Sequence, residues 1–395
     1  MTAAGEEQYG IPCCFMRGGS SRGAFFLDSD LPRGFEERAA VMLACYGSPD
    51  PRQIDGIGGA DPLTSKAATV ALSERPDADV VYTFYQVGIE RAQVSTGGNC
   101  GNMLSAVGPF AILRGLVEPD EPETALRIFV SNTGQVVTAT IPVRDGLPAC
   151  EGDCAIPGVP DPGAPIRLDF GDCAGAVSGR LLPSGHATDE IRVDGRLARV
   201  SLVDAATPFV FVRAADIGAT ATESPDALAA DAALLERLEA VRGWAAVQLG
   251  LVEAAADAAA QSPNIPRVMM VAPPTAYRST GGELVAADAV DLCVRQLSMQ
   301  RPHKALAVTG AVCTAVAAAT PGTVVADCAP TARADFTIGH PAGALRVAAR
   351  TETEASTGQT VVKSAVIERT ARLIMDGTLY ARRRKIDTLL QLQRS

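Results

Sequence analysis

The sequence predicts an α+β protein of two domains, and three observations carry that expectation. The 395 residues exceed what one hydrophobic core usually holds. Strand-like stretches bounded by Gly and Pro recur along the whole chain. Two segments, one opening near Cys100 and one near Gly310, read as helices apolar on most faces, the pattern of a helix enclosed by other elements. Apolar residues make up 47% and charged residues 20%, so a large core can be filled.

Taken in order, residues 11–30 read as a strand, a glycine-rich turn Arg17–Gly23 and a second strand Ala24–Leu27. A helix is predicted over 35–46, stopped at Gly47-Ser48-Pro49. The loop Gly56–Asp61 leads to Lys66 and a strand Ala67–Leu72, followed by strands at Val80–Ile89 and Ala92–Ser95. Loop Thr96–Asn102 opens a helix to about Leu116 that carries Met103, Leu104, Val107, Phe110, Ala111 and Leu113. Strands resume over Leu126–Pro142, loop covers 145–165, and further strands begin around 185–205. The Ala- and Leu-rich stretch 225–259 reads as helix, punctuated by Pro263 and Pro266. A strand Arg267–Ala272, a helix Ala286–Arg301, a strand Ala305–Val308 and a small-residue helix Gly310–Ala319 complete the pattern. Cys100 and Cys313 each sit near the opening of a buried-type helix after a strand and a Gly-containing turn; no long repeat is legible, so the echo reads either as internal duplication or as chance. Domains are expected at 1–185 and 186–395, with the tail packing back on the first.

The net charge of −10, with no basic run before Arg382 to Lys385, argues against a nucleic-acid partner and reads that run as a solvated helix or strand end. No apolar run reaches membrane-spanning length and MTAAGEEQYG lacks the features of an export signal, so a cytoplasmic protein without membrane contact is expected. The ten cysteines are scattered, as expected of reduced thiols. Cys150, Cys154, Cys173 and His186 have metal-ligand chemistry but not the close CxxC spacing of structural zinc sites, and no metal is expected.

Four loops concentrate glycine with small polar residues: Arg17–Gly23, Gly58–Lys66, Thr96–Asn102 and Tyr277–Gly282. Glycine lets backbone N–H groups approach a ligand, and N–H clusters at helix starts suit anions; plain tight turns are the alternative. None matches a nucleotide-binding pattern. Cys100, flanked by Gly98 and Gly101 at a helix start, is a candidate thiolate, because that position lowers a thiol's pKa. It reads equally as nucleophile, acid/base or small core residue. Lys66, at the mouth of an apolar strand, is a candidate base if desolvated, and a surface lysine otherwise.

At Met16-Arg17-Gly18-Gly19-Ser20-Ser21-Arg22-Gly23, at Gly58-Gly59-Ala60-Asp61-Pro62-Leu63-Thr64-Ser65-Lys66 and at Gly98-Asn99-Cys100-Gly101-Asn102 with Val107-Gly108-Pro109-Phe110-Ala111, the chain resembles the PrpF family. That family includes 2-methylaconitate cis-trans isomerase and the 4-oxalomesaconate isomerases and tautomerases of aromatic-acid breakdown. The stretch His303-Lys304-Ala305 through Val308-Thr309-Gly310-Ala311-Val312-Cys313 resembles the family's second-half signature. One departure stands in the first loop, RGGSSRG here against a common RGGTSKG, which exchanges a point charge at Arg22 for a planar fork. The resemblance implies the diaminopimelate epimerase fold, two domains each a curved sheet around a central helix with the active site between them. It also implies cofactor-free proton transfer on a small unsaturated di- or tricarboxylate, with Lys66 and Cys100 flanking the substrate. Arg17, Gly19, Ser20, Ser21, Asp61, Ser65, Asn99, Gly101, Asn102, Arg278, Ser279, His303, Thr309, Gly310 and Cys313 are then the expected substrate-binding residues. 4-Oxalomesaconate is the favoured substrate, with 2-methylaconitate or aconitate next, and a dimeric or tetrameric homo-oligomer is expected. Two rivals remain at this stage: an epimerase using Cys100 and Cys313 as opposed bases, and a non-catalytic carboxylate-binding protein.

Overall fold

The structure is a computed structural model that describes residues 6–97, 99–171, 173–329, 334–354 and 360–394; Gly98 of the third loop lies outside the described residues. In chain order the elements begin β1 (Gln8–Gly18), β2 (Ser21–Leu27), α1 (Phe35–Tyr46), β3 (Lys66–Leu72), β4 (Val80–Val87), β5 (Val94–Ser95), α2 (Gly101–Leu104), α3 (Val107–Leu113), β6 (Glu123–Val130), β7 (Gln135–Arg144), β8 (Leu147–Pro148) and β9 (Ile166–Asp169). They continue β10 (Asp189–Val193), β11 (Arg196–Ala205), β12 (Thr207–Arg213), α4 (Pro225–Ala230), α5 (Ala232–Gln248), α6 (Ala258–Gln261), β13 (Arg267–Ala272), β14 (Tyr277–Arg278) and β15 (Leu284–Val285). The last are β16 (Leu292–Ser298), β17 (Arg301–Pro302), α7 (Val308–Ala319), β18 (Asp335–His340), β19 (Gly343–Thr353), β20 (Thr360–Arg369), β21 (Ala371–Arg382) and α8 (Arg383–Arg394).

Two compact units result: Met1–Leu168 with Arg369–Ser395, and Asp169–Glu368. The division falls before the expected boundary at 185/186. The loop after Cys173 is tied into the second unit, because the buried Asp204 carboxylate accepts the backbone N–H groups of Val177 (2.9 Å) and Ser178 (2.7 Å).

In the first unit β1 pairs antiparallel with both β2 and β21, β2 runs parallel to β3, β3 antiparallel to β4, β4 parallel to β6, and β6 antiparallel to β7. Ala24, Phe26, Ala67, Tyr85 and Val87 share one face of this sheet, packed with Val41, Leu43 and Cys45 of α1, and Leu389 of α8 joins the same cluster. The alternate residues Phe25, Ala68 and Phe84 lie on the opposite face, where the Phe25 ring meets Phe110 of α3 with centroids 5.8 Å apart. α1 ends where Gly47 adopts φ 76° and its N–H turns back to Leu43 and Ala44, a left-handed cap that glycine takes without steric cost.

In the second unit the same alternation recurs: β11 with β12 antiparallel, β12 with β13 parallel, β13 with β16 antiparallel, β16 with β18 parallel, β18 with β19 antiparallel. Val210, Val212, Val268 and Met270 pack with Leu234, Leu238, Val241 and Ala245 of α5. α7 is buried from Val308 through Ala317 and meets Met269 through Thr314. Each unit thus carries a strand-rich sheet with helices on both faces.

Three local expectations are corrected. The stretch 286–301 is β16 with a short 3-10 turn at Ala287–Ala289, not a helix; Leu292–Leu297 is buried on both faces, and a strand of that kind shows no period-two pattern. Residues 305–307 form no strand, and α7 already starts at Val308. The first buried helix is broken after Leu104 and restarts at Val107. Pro109, which lacks an N–H, would interrupt a continuous helix but is tolerated in the first turn of a new one. No helix among the described residues is long and apolar enough to cross a membrane. The basic run sits at the junction of β21 and α8, with Arg382, Arg383 and Arg384 exposed.

Candidate functional site

Lys66 is the first residue of β3, directly opposite Gly23 on β2 and Gln86 on β4. Its side chain is only 8% exposed. Its amine donates to Gln86 Oε1 at 2.7 Å and lies 5.0 Å from the centroid of the Phe84 ring. No carboxylate among the described residues forms an ion pair with it. Register puts Gln86, Phe84 and Tyr82 on one face of β4, and Tyr82 Oη donates to the Cys100 carbonyl at 3.4 Å. The Lys66 amine and the Cys100 carbonyl are thus each met by a side chain of that one face, Gln86 and Tyr82, four residues apart along β4. Burial, with the Cys100 thiol as second cause, pushes the Tyr82 hydroxyl well above its usual range, so it stays a neutral donor.

Cys100 is half-buried and stands just before α2, its carbonyl accepting the Leu104 N–H at 2.9 Å. The N–H groups of Gly101, Asn102 and Met103 precede any intrahelical acceptor, as in every first turn. The turn between β1 and β2 is pressed against this start: a Cβ on Gly18 would lie 2.5 Å from the Asn102 carbonyl oxygen, and one on Gly19 2.1 Å from Asn102 Oδ1. Asn102 Nδ2 donates to Ser20 Oγ at 3.2 Å. Two polar groups beside this junction are buried without a hydrogen-bond partner: the Ser21 hydroxyl and both amide atoms of Asn99. Such groups cost about 1–3 kcal/mol each when left unmade, which a polar ligand would recover.

The structure sets Gly18, Gly19 and Ser20 against Asn102, and Gly23 against Lys66 and Met103, and gives other expected residues different work. Arg17 and Arg22 form a cross-strand pair and so point to the face opposite Ser21 and Gly23. Arg17 Nη1 is held by the Gly19 carbonyl (2.9 Å) and by the carbonyl and hydroxyl of Thr370 (3.0 Å each). Burial, and then nearby Arg372, lower its pKa. It clamps the turn. Arg22 stacks near the Phe15 ring at 5.8 Å, so the exchange of Lys for Arg noted in the sequence lies off the face that carries Lys66. Asp61 Oδ1 caps the Leu63 N–H (2.8 Å), and Ser65 Oγ is spent on Gln53 Oε1 (2.8 Å).

In the second unit Thr309 and Gly310 occupy the first turn of α7. Cys313 is six residues into that helix rather than at its opening, fully buried, its thiol directed to the Val203 carbonyl at 3.5 Å, and burial pushes its pKa well above the ordinary thiol value. Arg278 Nη1 donates to the Gly282 carbonyl (3.1 Å) and Ser279 Oγ accepts the Glu283 N–H (3.2 Å), both within the β14–β15 hairpin. His303 Nδ1 accepts the Ala305 N–H at 3.0 Å. Among the described residues no group of three or more His, Cys, Asp or Glu side chains is gathered as a metal ion requires.

Three residues that sequence reasoning passed over hold Lys66 in place. Gln86 binds the amine. Tyr46, fully buried, accepts the Ala24 N–H at 2.9 Å and donates to the Lys66 carbonyl. Gln53, at φ 48°, joins Ser48, Ala60 and Ser65 through one amide. Gln86 was detectable, as a polar residue in the apolar phase of Val80, Tyr82 and Phe84; nothing local marks Gln53.

The model of the PrpF protein family matches residues 8–382. The (4E)-oxalomesaconate Delta-isomerase of Novosphingobium sp. (strain KA1) is 43% identical over 372 residues, covering 93% of this chain and 97% of that protein. A crystal structure of methylitaconate-delta-isomerase, 41% identical, superposes with a TM-score of 0.86 over 96% of this chain and 98% of its own. A hydroxyproline epimerase from Agrobacterium vitis, 14% identical, has a TM-score of 0.51 over 95% of this chain and 93% of its own, which shows a shared epimerase fold. With that match and these likenesses over nearly its full length, the chain belongs to the PrpF family and is an isomerase.

Proposed function

We propose that the protein moves a carbon–carbon double bond in a small unsaturated polycarboxylate by carrying a proton between carbons of an allylic system, with 4-oxalomesaconate as substrate. The observation that carries the reading is a buried lysine amine, with no carboxylate ion pair among the described residues, on the same strand face as Tyr82, whose hydroxyl meets the Cys100 carbonyl. The Novosphingobium relative's name and the shared fold support the reaction class.

In the mechanism, Lys66 as neutral amine removes a proton from carbon adjacent to, or conjugated with, a carbonyl. The electron pair moves into the conjugated system and charge rests on a carboxylate or keto oxygen. The N–H groups of Gly101 to Met103, the Ser21 hydroxyl and the Asn99 amide are donors able to meet that charge, each such donor being worth about 3–4 kcal/mol of barrier in comparable sites. The Cys100 thiol returns a proton at the far end of the allylic system and takes one back from the Lys66 ammonium, so no atom is gained or lost. Placed acid–base groups contribute roughly 10²- to 10⁴-fold.

The test is an ultraviolet assay on 4-oxalomesaconate, 2-methylaconitate, aconitate and methylitaconate, repeated in deuterated water with the product followed by NMR. Lys66→Ala abolishes turnover while the fold persists, Cys100→Ser slows it strongly, and one solvent deuterium enters the product. Near-normal turnover by Lys66→Ala removes the lysine from the mechanism.

A further inference from the structure

We propose that Gln86 is a positioning residue for the reaction, aiming the Lys66 amine while keeping negative charge away from it; this rests on the reading of Lys66 as the base. Gln86 is directly across from Lys66 in the β3–β4 pair. Its amide orientation is decided by its other end: Nε2 donates to the Ser65 carbonyl at 3.0 Å and the Pro62 carbonyl at 3.2 Å, which leaves Oε1 facing the amine at 2.7 Å. The Phe84 ring, 5.0 Å away, closes a further side. An amine that donates one hydrogen to a fixed acceptor has its remaining directions defined, and a reacting pair must be placed to within a fraction of an ångström.

The choice of amide over carboxylate has chemical content. A glutamate here would form an ion pair and hold the lysine as ammonium, which cannot accept a proton. An amide oxygen gives direction without that charge. The surrounding groups follow the same rule. On this face β2 presents Ser21, Gly23 and Phe25, β3 presents Ala68 and Val70, β4 presents Tyr82 and Phe84, and α2 brings Met103 against Gly23. The titratable groups among these neighbours are Tyr82 and, before α2, Cys100, both uncharged when protonated. The Asp61 carboxylate is turned to the Leu63 N–H, and Arg17 and Arg22 lie on the other face.

The experiment compares Gln86→Glu, Gln86→Met and Lys66→Ala with the parent, measuring kcat and KM from about pH 6 to about pH 10 on the first of the four acids above that the parent turns over. Gln86→Met should lower kcat about 10- to 100-fold with KM changed less than about threefold, because aim is lost and binding is not. Gln86→Glu keeps an acceptor, so its rate should recover at high pH, with the acidic limb of kcat/KM displaced upward by about one to two pH units. Both variants lose the bonds to Ser65 and Pro62, so damage to that loop would affect them alike and would not move a pH limb. If Gln86→Met keeps kcat within about twofold of the parent and the Gln86→Glu limb stays in place while Lys66→Ala is inactive, the positioning role is wrong and the base stands. If Lys66→Ala remains active, both fall together.

Discussion

Replacing Gly23 by alanine would set a methyl group 1.7 Å from the Lys66 carbonyl oxygen and 3.1 Å from Met103 Cε. Real contacts of this kind are not closer than 3.0 Å, so β2 and β3 must separate by about 1.3 Å (3.0 less 1.7) at the point where Lys66 begins its strand. Overpacking of that order costs about 1–3 kcal/mol. The same displacement pulls apart the two groups that Tyr46 bridges, the Ala24 N–H and the Lys66 carbonyl, and a buried group left unpaired adds about 1–3 kcal/mol. The sum is roughly 2–6 kcal/mol, a large share of the stability of an ordinary domain. Gly377 is the matched control: it too lies in a strand of the first unit, a Cβ there meets nothing within 4 Å, and alanine should change stability by less than about 1 kcal/mol. Urea unfolding followed by circular dichroism gives both values, and turnover is measured beside them. A Gly23→Ala protein with the parent's midpoint and the parent's turnover would refute the close contact and the view that the β2–β3 junction places the lysine.

Two further outcomes follow from the packing. Tyr46→Phe leaves the Ala24 N–H and the Lys66 carbonyl without their shared hydroxyl and should cost about 2–5 kcal/mol in urea unfolding, with kcat falling more than KM rises. Burial raises the thiols of Cys13 and Cys14 to about 11 and that of Cys45 to about 12, above the value near 9.0 expected in an unfolded chain. The unfolded state therefore loses these protons first, so the stability they contribute is intact below about pH 9 and is lost as pH climbs through 11 and 12. Urea midpoints should fall between pH 8 and about pH 10.5, and fall less steeply in Cys45→Ala; parallel declines would show that the buried thiols are not responsible.

How much of this could be read from the chain depends on which signals are local. The α1 helix and its glycine stop were legible because the cap is written in adjacent residues, and β13 matched its predicted range residue for residue. β16 was mistaken for helix because a strand covered on both sides loses the alternation that identifies strands. The break before Val107 was written in Pro109, but only if that proline is weighed against a continuous helix. Glycine loops draw attention to whole segments, yet composition does not say which way a side chain faces. Arg17 reads as a ligand-binding cation, and strand register turns it, with Arg22, away from the face that carries Ser21 and Lys66. Ser65 and Asp61 were likewise claimed by neighbours that no spacing rule names. Cys313 echoed Cys100 in sequence while its place deep in α7 makes it core.

The pairing of β1 with β21 has a consequence for biosynthesis. Arg17 and the Thr370 groups that grip it are separated by 353 residues, so the turn between β1 and β2 waits until Thr370 has been translated before its clamp exists. The second unit, by contrast, is one uninterrupted stretch and is free to condense while the ribosome is still at work. A nascent chain halted ahead of Thr370 would carry every residue assigned here to the chemistry and still lack both the groups that grip the glycine turn and the strand β21 that pairs with β1.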